Sequence, residues 1–298
     1  MSQQNIFDGK IPLPDATLAA REKTLLGFEK RYKKIHDQLR LLLNLGDLAA
    51  WSKKHHRQKL ALCDLVAEQY PLVILHGDVG TGKTVTAECI ANRLVRESRT
   101  EDSLLFKLSN RVRGSGKVGE MGTLLTQAFH EVTQSAGKTR RAVLVIDEGD
   151  SLAASRSQEH SHHEDKVAVN TLIQCVDDLR GFSGRVVVFL CTNRLSVLDA
   201  ALRRRAAVVE EFQRPNDKER HELLKMDLNG LAFADHQIEE LVVATGPHSK
   251  RPGWTFSDIR TRLYPAAMAQ AFPDHPLSFK HLHDAATSLH PSPVLEDK

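Results

Sequence analysis

Residues 77–84 read Gly77, Asp78, Val79, Gly80, Thr81, Gly82, Lys83, Thr84, and no other stretch narrows the fold as far. The spacing Gly, four residues, Gly-Lys-Thr is that of a loop built to hold phosphate. Glycines let the main chain curl until successive N–H groups converge on phosphate oxygens, and the N-terminus of the next helix adds partial positive charge. A lysine at position 83 reaches the outer phosphates, and the Thr84 hydroxyl is placed to coordinate magnesium. Such a loop needs a strand before it and a helix after it. The apolar run 72–76 supplies the first, and the helical pattern from 83 to 94 supplies the second. A simple glycine-rich turn needs neither.

Around this loop the chain alternates. Apolar runs recur at residues 72–76, 104–108, 142–146 and 185–191, with a weaker one at 208–212, and helical segments separate them. Short apolar strands spaced by helices predict a parallel sheet covered on both faces, a doubly wound α/β domain with its ligand at the carboxyl ends of the strands. Residues 1–20, with Pro12 and Pro14, read as an extended arm or linker. Residues 21–214 form the large α/β domain, preceded within it by linker helices in which Gly46 and Asp47 mark a break. After Pro215 the strands stop. Helical stretches at 217–228, 234–245, 255–272 and 278–287, punctuated by Pro and Gly, predict a smaller all-helical domain over 215–298.

The second chemical signal is Val143-Leu144-Val145-Ile146 followed by Asp147 and Glu148. Four apolar residues bury a central strand and deliver two carboxylates to its tip. Asp147 holds magnesium through water, completing the shell begun by Thr84, and Glu148 polarises an attacking water. A further strand ends in Thr192-Asn193, where an amide is placed to meet the terminal phosphate or the water. Next comes Arg203-Arg204-Arg205. Three successive arginines cannot all face one way on a helix. One or two of them are expected to serve as a finger entering a neighbouring subunit's site, where a cation on the transferring phosphate is worth roughly 10³–10⁵ in rate.

Those elements, in that order and followed by a helical lid, resemble the AAA+ superfamily of P-loop NTPases. Within it, Asp147 to Leu152 followed by Arg156, then Val169-Asn170 and Leu172, is similar to the pachytene-checkpoint branch, whose members remodel HORMA-domain proteins. Arg205-Ala206-Ala207-Val208 with Phe212 and Pro215 is similar too, and this alignment favours Arg205 over Arg204 as the finger. Ser115 to Val118 resembles the stretch after the first pore loop, which puts that loop near residues 110–115, with Arg111, Val112 and Arg113 facing substrate and Val112 standing in for an absent aromatic. Gly253 to Ile259 resembles a second sensor in which Ser257 replaces arginine, with Arg260 as substitute. The resemblance implies an ATPase using ATP and magnesium, a homohexameric ring, and a HORMA-domain protein bound to a nucleotidyltransferase as partner, in the manner of short bacterial members of anti-phage cyclic-oligonucleotide systems.

Bulk properties agree with a cytoplasmic, soluble protein. The 298 residues are 41% hydrophobic and only 5% aromatic, so the core rests on Leu, Val, Ile and Ala. No stretch approaches the ~18 apolar residues of a membrane span. The net charge of +3 is too small to imply a nucleic-acid partner. Cys63, Cys89, Cys175 and Cys191 include no CxxC pair, which suits a reducing compartment. His160, His162, His163, Glu164 and Asp165 read as a polar second pore loop rather than a zinc site, and Trp51 and Trp254 as packing residues. Two other readings stay open: a DNA-directed ATPase such as a loader or transposition helper, and a nucleotide-gated scaffold without turnover. The first lacks a basic face; intact Glu148 and Asn193 argue against the second.

Overall fold

A computed structural model describes residues 6–98, 102–113, 119–137, 140–152, 163–248 and 251–295. In chain order its elements are β1 (Phe7–Leu13), α1 (Ala16–Glu22), α2 (Phe28–Leu43), α3 (Leu45–His56), α4 (Ala61–Ala67), β2 (Leu72–Gly77), α5 (Lys83–Ser98), β3 (Ser103–Leu108), α6 (Glu120–Ala136) and β4 (Ala142–Ile146). There follow α7 (His163–Asp178), β5 (Val186–Thr192), α8 (Ala200–Arg205), β6 (Ala206–Phe212), α9 (Asp217–Asp227), α10 (Asp235–Ala244), α11 (Phe256–Asp258), α12 (Tyr264–Ala271) and α13 (Phe279–Ser288). Two compact units emerge: Met1–His76 with Thr84–Glu211, and Gly77–Lys83 with Phe212–Lys298.

The first unit is built on one sheet in the order β1-β3-β4-β5-β2-β6. Strands β3, β4, β5 and β2 pair in parallel, with Phe106 opposite Leu144, Leu144 opposite Val188 and Ile74 opposite Leu190. Every residue of β4 and β5 is buried, which explains their unbroken apolar runs: a strand covered on both faces has no polar side to alternate. One face packs Ile74, Leu144, Ile146, Val188 and Leu190 against Leu125, Phe129 and Val132 of α6 and Leu172 and Val176 of α7. The alternate residues Val73, Leu75, Val143, Val145 and Phe189 go to the other face and are equally buried. This is the doubly wound arrangement the sequence predicts.

Residues 7–13, expected as an arm, are extended but paired. β1 runs antiparallel to β3, with Lys10 opposite Phe106 and Leu13 opposite Ser103. Phe7 and Leu13 are buried, and the Phe7 ring lies 4.9 Å from that of Phe106. Full burial of such side chains stabilises by about 1.5–3 kcal/mol each. Pro12 is tolerated because β1 is the edge strand, where a missing N–H costs no ladder bond. The helical break also moves. It falls at Asn44, and Gly46 lies inside α3. Trp51 is 48% exposed against the rings of His55 and His56, not packed as expected, whereas Trp254 is fully buried.

The second unit is helical. α9 opens on a capping box between Asn216 and Glu219, and α11 on one between Thr255 and Asp258. Leu223, Leu224, Leu241, Trp254, Ile259, Leu263 and Leu282 form its buried apolar residues. The stretch predicted at 255–272 is helical without interruption from Phe256 to Ala271, with a single π-helical turn, Ile259–Leu263, joining α11 to α12. No helix among the described residues is long and apolar enough to cross a membrane.

Candidate functional site

The loop between β2 and α5 is shaped by contacts that only glycine permits. At Gly77, φ is +132° and a Cβ would stand 2.0 Å from the backbone oxygen of Phe212. At Gly80, φ is +75° and a Cβ would meet Thr255 Oγ1 at 2.7 Å. The Ser257 N–H donates to the Gly80 carbonyl at 3.0 Å. Inside the loop, the carbonyl of Asp78 accepts from the Thr81 hydroxyl at 2.7 Å and from Lys83 Nζ at 2.8 Å, and Lys83 Nζ also donates to the Gly77 carbonyl at 2.8 Å. The ammonium is therefore held at the loop's centre, though Lys83 is only 7% exposed.

In the first unit, Thr84, Asp147 and Glu148 lie together. The Thr84 hydroxyl donates to Asp147 Oδ2 at 2.8 Å, and Asp147 Oδ1 accepts the Glu148 N–H at 2.9 Å. With Asp8, Lys107, Leu108, Asn110 and Val145 they line a recess of about 210 Å³. The Glu148 carboxylate accepts from Asn110 Nδ2 at 3.1 Å. Its backbone sits in the left-handed region at φ 50°, ψ 44°, a conformation that costs a non-glycine residue roughly 1–2 kcal/mol. The turn is tight because Gly149 packs under it, where a Cβ would lie 2.6 Å from Leu190 Cδ1. Buried Glu88 on α5 anchors Lys107 at 2.6 Å, so a cation from β3 borders the acidic recess.

Asn193 does not line that recess. Its N–H and the Thr192 hydroxyl both donate to Asp150 Oδ1, at 3.5 and 3.2 Å. Arg205 and Arg204 separate in behaviour. Arg205 lies bidentate on Asp177 at the end of α7, with Nη2 to Oδ2 at 2.9 Å, and its Nη1 donates to the Ala201 carbonyl at 3.0 Å. Its guanidinium sits 5.3 Å from the Tyr70 ring, which Arg180 approaches to 5.0 Å. Hydrogen bonding to Asp177 raises its already high pKa. Arg204 is exposed. Both border an open recess of about 330 Å³ with Gln38, Leu65, Glu68 and Tyr70.

Two expectations are corrected. Val112 is no pore residue: the short 3-10 turn Asn110–Arg113 rotates it inward, and at 1% exposure it packs in the core with Phe106 and Leu125. Arg111 of the same turn is exposed. Arg113 ends that turn, and residues 114–118 beyond it, with Ser115–Val118, lie outside the described residues, as do Arg156, His160 and His162. Arg260 is likewise not presented to the phosphate loop. It makes a bidentate pair with Asp227 at 2.7 and 2.8 Å within the helical unit, and it is Ser257 that touches Gly80.

Sequence reasoning missed Asn110, Asp150, Asp177 and Arg214. Asn110 alone carried a signal, since it stands just past the end of the strand beside β4. The first unit offers an oxygen pair suited to a hard cation with a carboxylate fixed beside it, and the second unit carries a cationic loop. Those are the parts required to bind a triphosphate and activate water against it.

A profile of the ATPase family associated with various cellular activities (AAA) matches residues 73–214. The CD-NTase-associated protein 6 of Escherichia coli (strain KTE188) is 68% identical over 297 residues, covering 100% of both chains. A solved structure of the E. coli MS115-1 HORMA:CdnC:Trip13 complex contains a chain 38% identical with a TM-score of 0.89, covering 97% of each. A structure of Rhizobiales Trip13 is 32% identical with a TM-score of 0.71, covering 96% of this chain and 99% of the other.

Proposed function

This chain belongs to the AAA ATPases, and among them to the relatives of CD-NTase-associated protein 6; from that premise we propose that it hydrolyses ATP to remodel a HORMA-domain protein bound to a nucleotidyltransferase. The observation that carries the chemical half is the meeting of Thr84, Asp147 and Glu148, with Asn110 fixing the Glu148 carboxylate. The partner half is supported by the likeness, at a TM-score of 0.89, to a chain of a HORMA:CdnC:Trip13 complex.

Residues 77–84 receive the triphosphate, Lys83 moving its ammonium from loop carbonyls to phosphate oxygens. The donor set of Thr84 and Asp147, a hydroxyl 2.8 Å from a carboxylate, fits magnesium, which favours oxygen ligands. Those two residues would hold it, and when bound it neutralises charge on the phosphates. Glu148 accepts the proton of the attacking water. Asn110 keeps that carboxylate in one place until a water competes for it. Asn193, which follows β5, is assigned the terminal phosphate or the water as its partner in this reading. The cation for the developing charge comes from a neighbouring protomer of a homohexameric ring, with Arg205 as the finger and Arg204, beside it, as the second candidate. Arg111 on the exposed turn after β3 faces the substrate chain.

The test uses the purified chain with its HORMA protein and nucleotidyltransferase. ATP should convert the pre-formed complex into separate species on a sizing column, while Glu148→Gln with ATP should hold it together. A complex that persists while ATP is consumed overturns the remodelling reading; an absence of ATP consumption overturns the enzymatic one.

A further inference from the structure

The loop that receives the phosphates is braced from the C-terminal end of the chain, and the brace converges on one arginine. Arg214 follows β6, is 13% exposed, and places its guanidinium among four acceptors. Nε donates to Asp78 Oδ2, Nη1 to the Gly253 carbonyl at 2.6 Å, and Nη2 to the carbonyls of Ser292 and Pro293, each at 2.9 Å. The other oxygen of Asp78, Oδ1, accepts the Val79 N–H at 2.8 Å, so the carboxylate is fixed on both sides. The carbonyl of the same residue carries Thr81 and Lys83. Whatever holds Asp78 therefore holds the lysine that must meet the phosphates.

A second route runs from the same terminal segment to the same loop. The Ser292 N–H and hydroxyl both donate to Asp258, at 3.1 and 2.6 Å. Asp258 accepts the Thr255 N–H at 3.1 Å and closes the capping box of α11. The first turn of α11 then meets Gly80, through Ser257 N–H at 3.0 Å. Two independent chains of contacts thus join Ser292 to the two sides of the loop. A surface arginine placed only for solubility would have neither the burial nor four acceptors, three of them backbone carbonyls 39 to 79 residues away in sequence.

We infer that Arg214 is a positioning residue for nucleotide binding, setting the phosphate loop through Asp78 and making the segment around Ser292 and Pro293 part of the site's support. The inference rests on the reading of residues 77–84 as the nucleotide loop. It assigns Arg214 to affinity and not to the chemical step, because no contact it makes reaches Thr84, Asp147 or Glu148.

The experiment measures equilibrium binding of a fluorescent ATP analogue, and steady-state KM and kcat for ATP, on the full chain. The variants are Arg214→Ala, Arg214→Lys, Asp78→Asn and the Asp78→Asn/Arg214→Ala pair. Charge-assisted hydrogen bonds of this kind are worth about tenfold or more in an equilibrium constant. Arg214→Ala should therefore weaken binding and raise KM by about tenfold, with kcat within about twofold of the parent. Lysine keeps the charge on Asp78 but cannot fork to three carbonyls, so Arg214→Lys should fall between. The double variant should bind no more than about twofold worse than Arg214→Ala, because both changes cut one contact. An unchanged KM in Arg214→Ala, or a double variant whose losses multiply, overturns the inference. If Arg214→Ala does not fold, Asp78→Asn decides alone, and an unaltered KM there is equally fatal. Lys83→Ala separates this failure from a deeper one: if it binds nucleotide as the parent does, the loop itself has been misread.

Discussion

Replacing Glu148 by glutamine isolates chemistry from structure. Glutamine has the same length and nearly the same volume, and its amide oxygen can still accept from Asn110 in place of the Oε2 contact at 3.1 Å. It pays the same left-handed backbone cost at φ 50°, so that cost cancels between the two proteins. Stability should shift by less than about 0.5 kcal/mol, as for a substitution that leaves packing and caps alone. What disappears is the proton acceptor. General-base catalysis contributes about 10²–10⁴ in rate, equivalent to about 2.7–5.4 kcal/mol at 1.36 kcal/mol per tenfold. Phosphate release under saturating ATP should fall by that factor, while calorimetry finds nucleotide binding within about twofold of the parent. Hydrolysis at the parental rate would remove Glu148 from the mechanism. Lost binding with lost turnover would show instead that Glu148 supports the loop.

Arg205→Ala should keep nucleotide binding and lose roughly 10³-fold or more in kcat; mixing it with Glu148→Gln protomers should restore part of the ATPase rate, and no recovery would argue against a site shared between subunits. Asn110→Ala should leave binding intact and change kcat several-fold, and an identical rate would reduce the contact with Glu148 to packing. Gly80→Ala, which combines a +75° φ with a 2.7 Å clash on Thr255, should raise KM for ATP by at least tenfold on equilibrium titration. At Asp258, burial pushes the carboxyl up, but hydrogen bonds from Ser292 and Thr255 outweigh it and hold it below the ordinary value. A depressed carboxylate stabilises fully above its unfolded value, near pH 4, and loses that contribution as pH falls through the folded one. Asp258→Asn should accordingly lower the thermal midpoint at pH 7 and narrow the gap to the parent towards pH 2; a constant gap would refute the assignment.

The parts of the fold legible in sequence were those with one dominant local cause. β4 and β5 are buried on both faces, so their runs are unbroken, and the loop at 77–84 has a spacing that few other structures require. Side chains whose role depends on a partner distant in sequence were not legible. Asp177 has meaning only once α8 brings Arg205 to it, 28 residues later, and Arg214 only once residues 292 and 293 return to it. Val112 differs for a related reason: the resemblance placed it in a pore loop, but a single 3-10 turn rotates it into the core. Arg260 sits at the position expected of a sensor, yet Asp227, 33 residues earlier, captures it.

The strand β1 has a practical consequence. Without it, β3 would offer a bare row of backbone donors and acceptors to any extended peptide nearby, the usual seed of unwanted sheet addition. The first stave of the sheet comes from residues ahead of all the motifs, and β3 is also the element that carries Lys107 and leads into Asn110. A shortened version beginning at α1 or later would thus lose more than a tail: it would leave a sticky seam directly beside the residue that steadies Glu148.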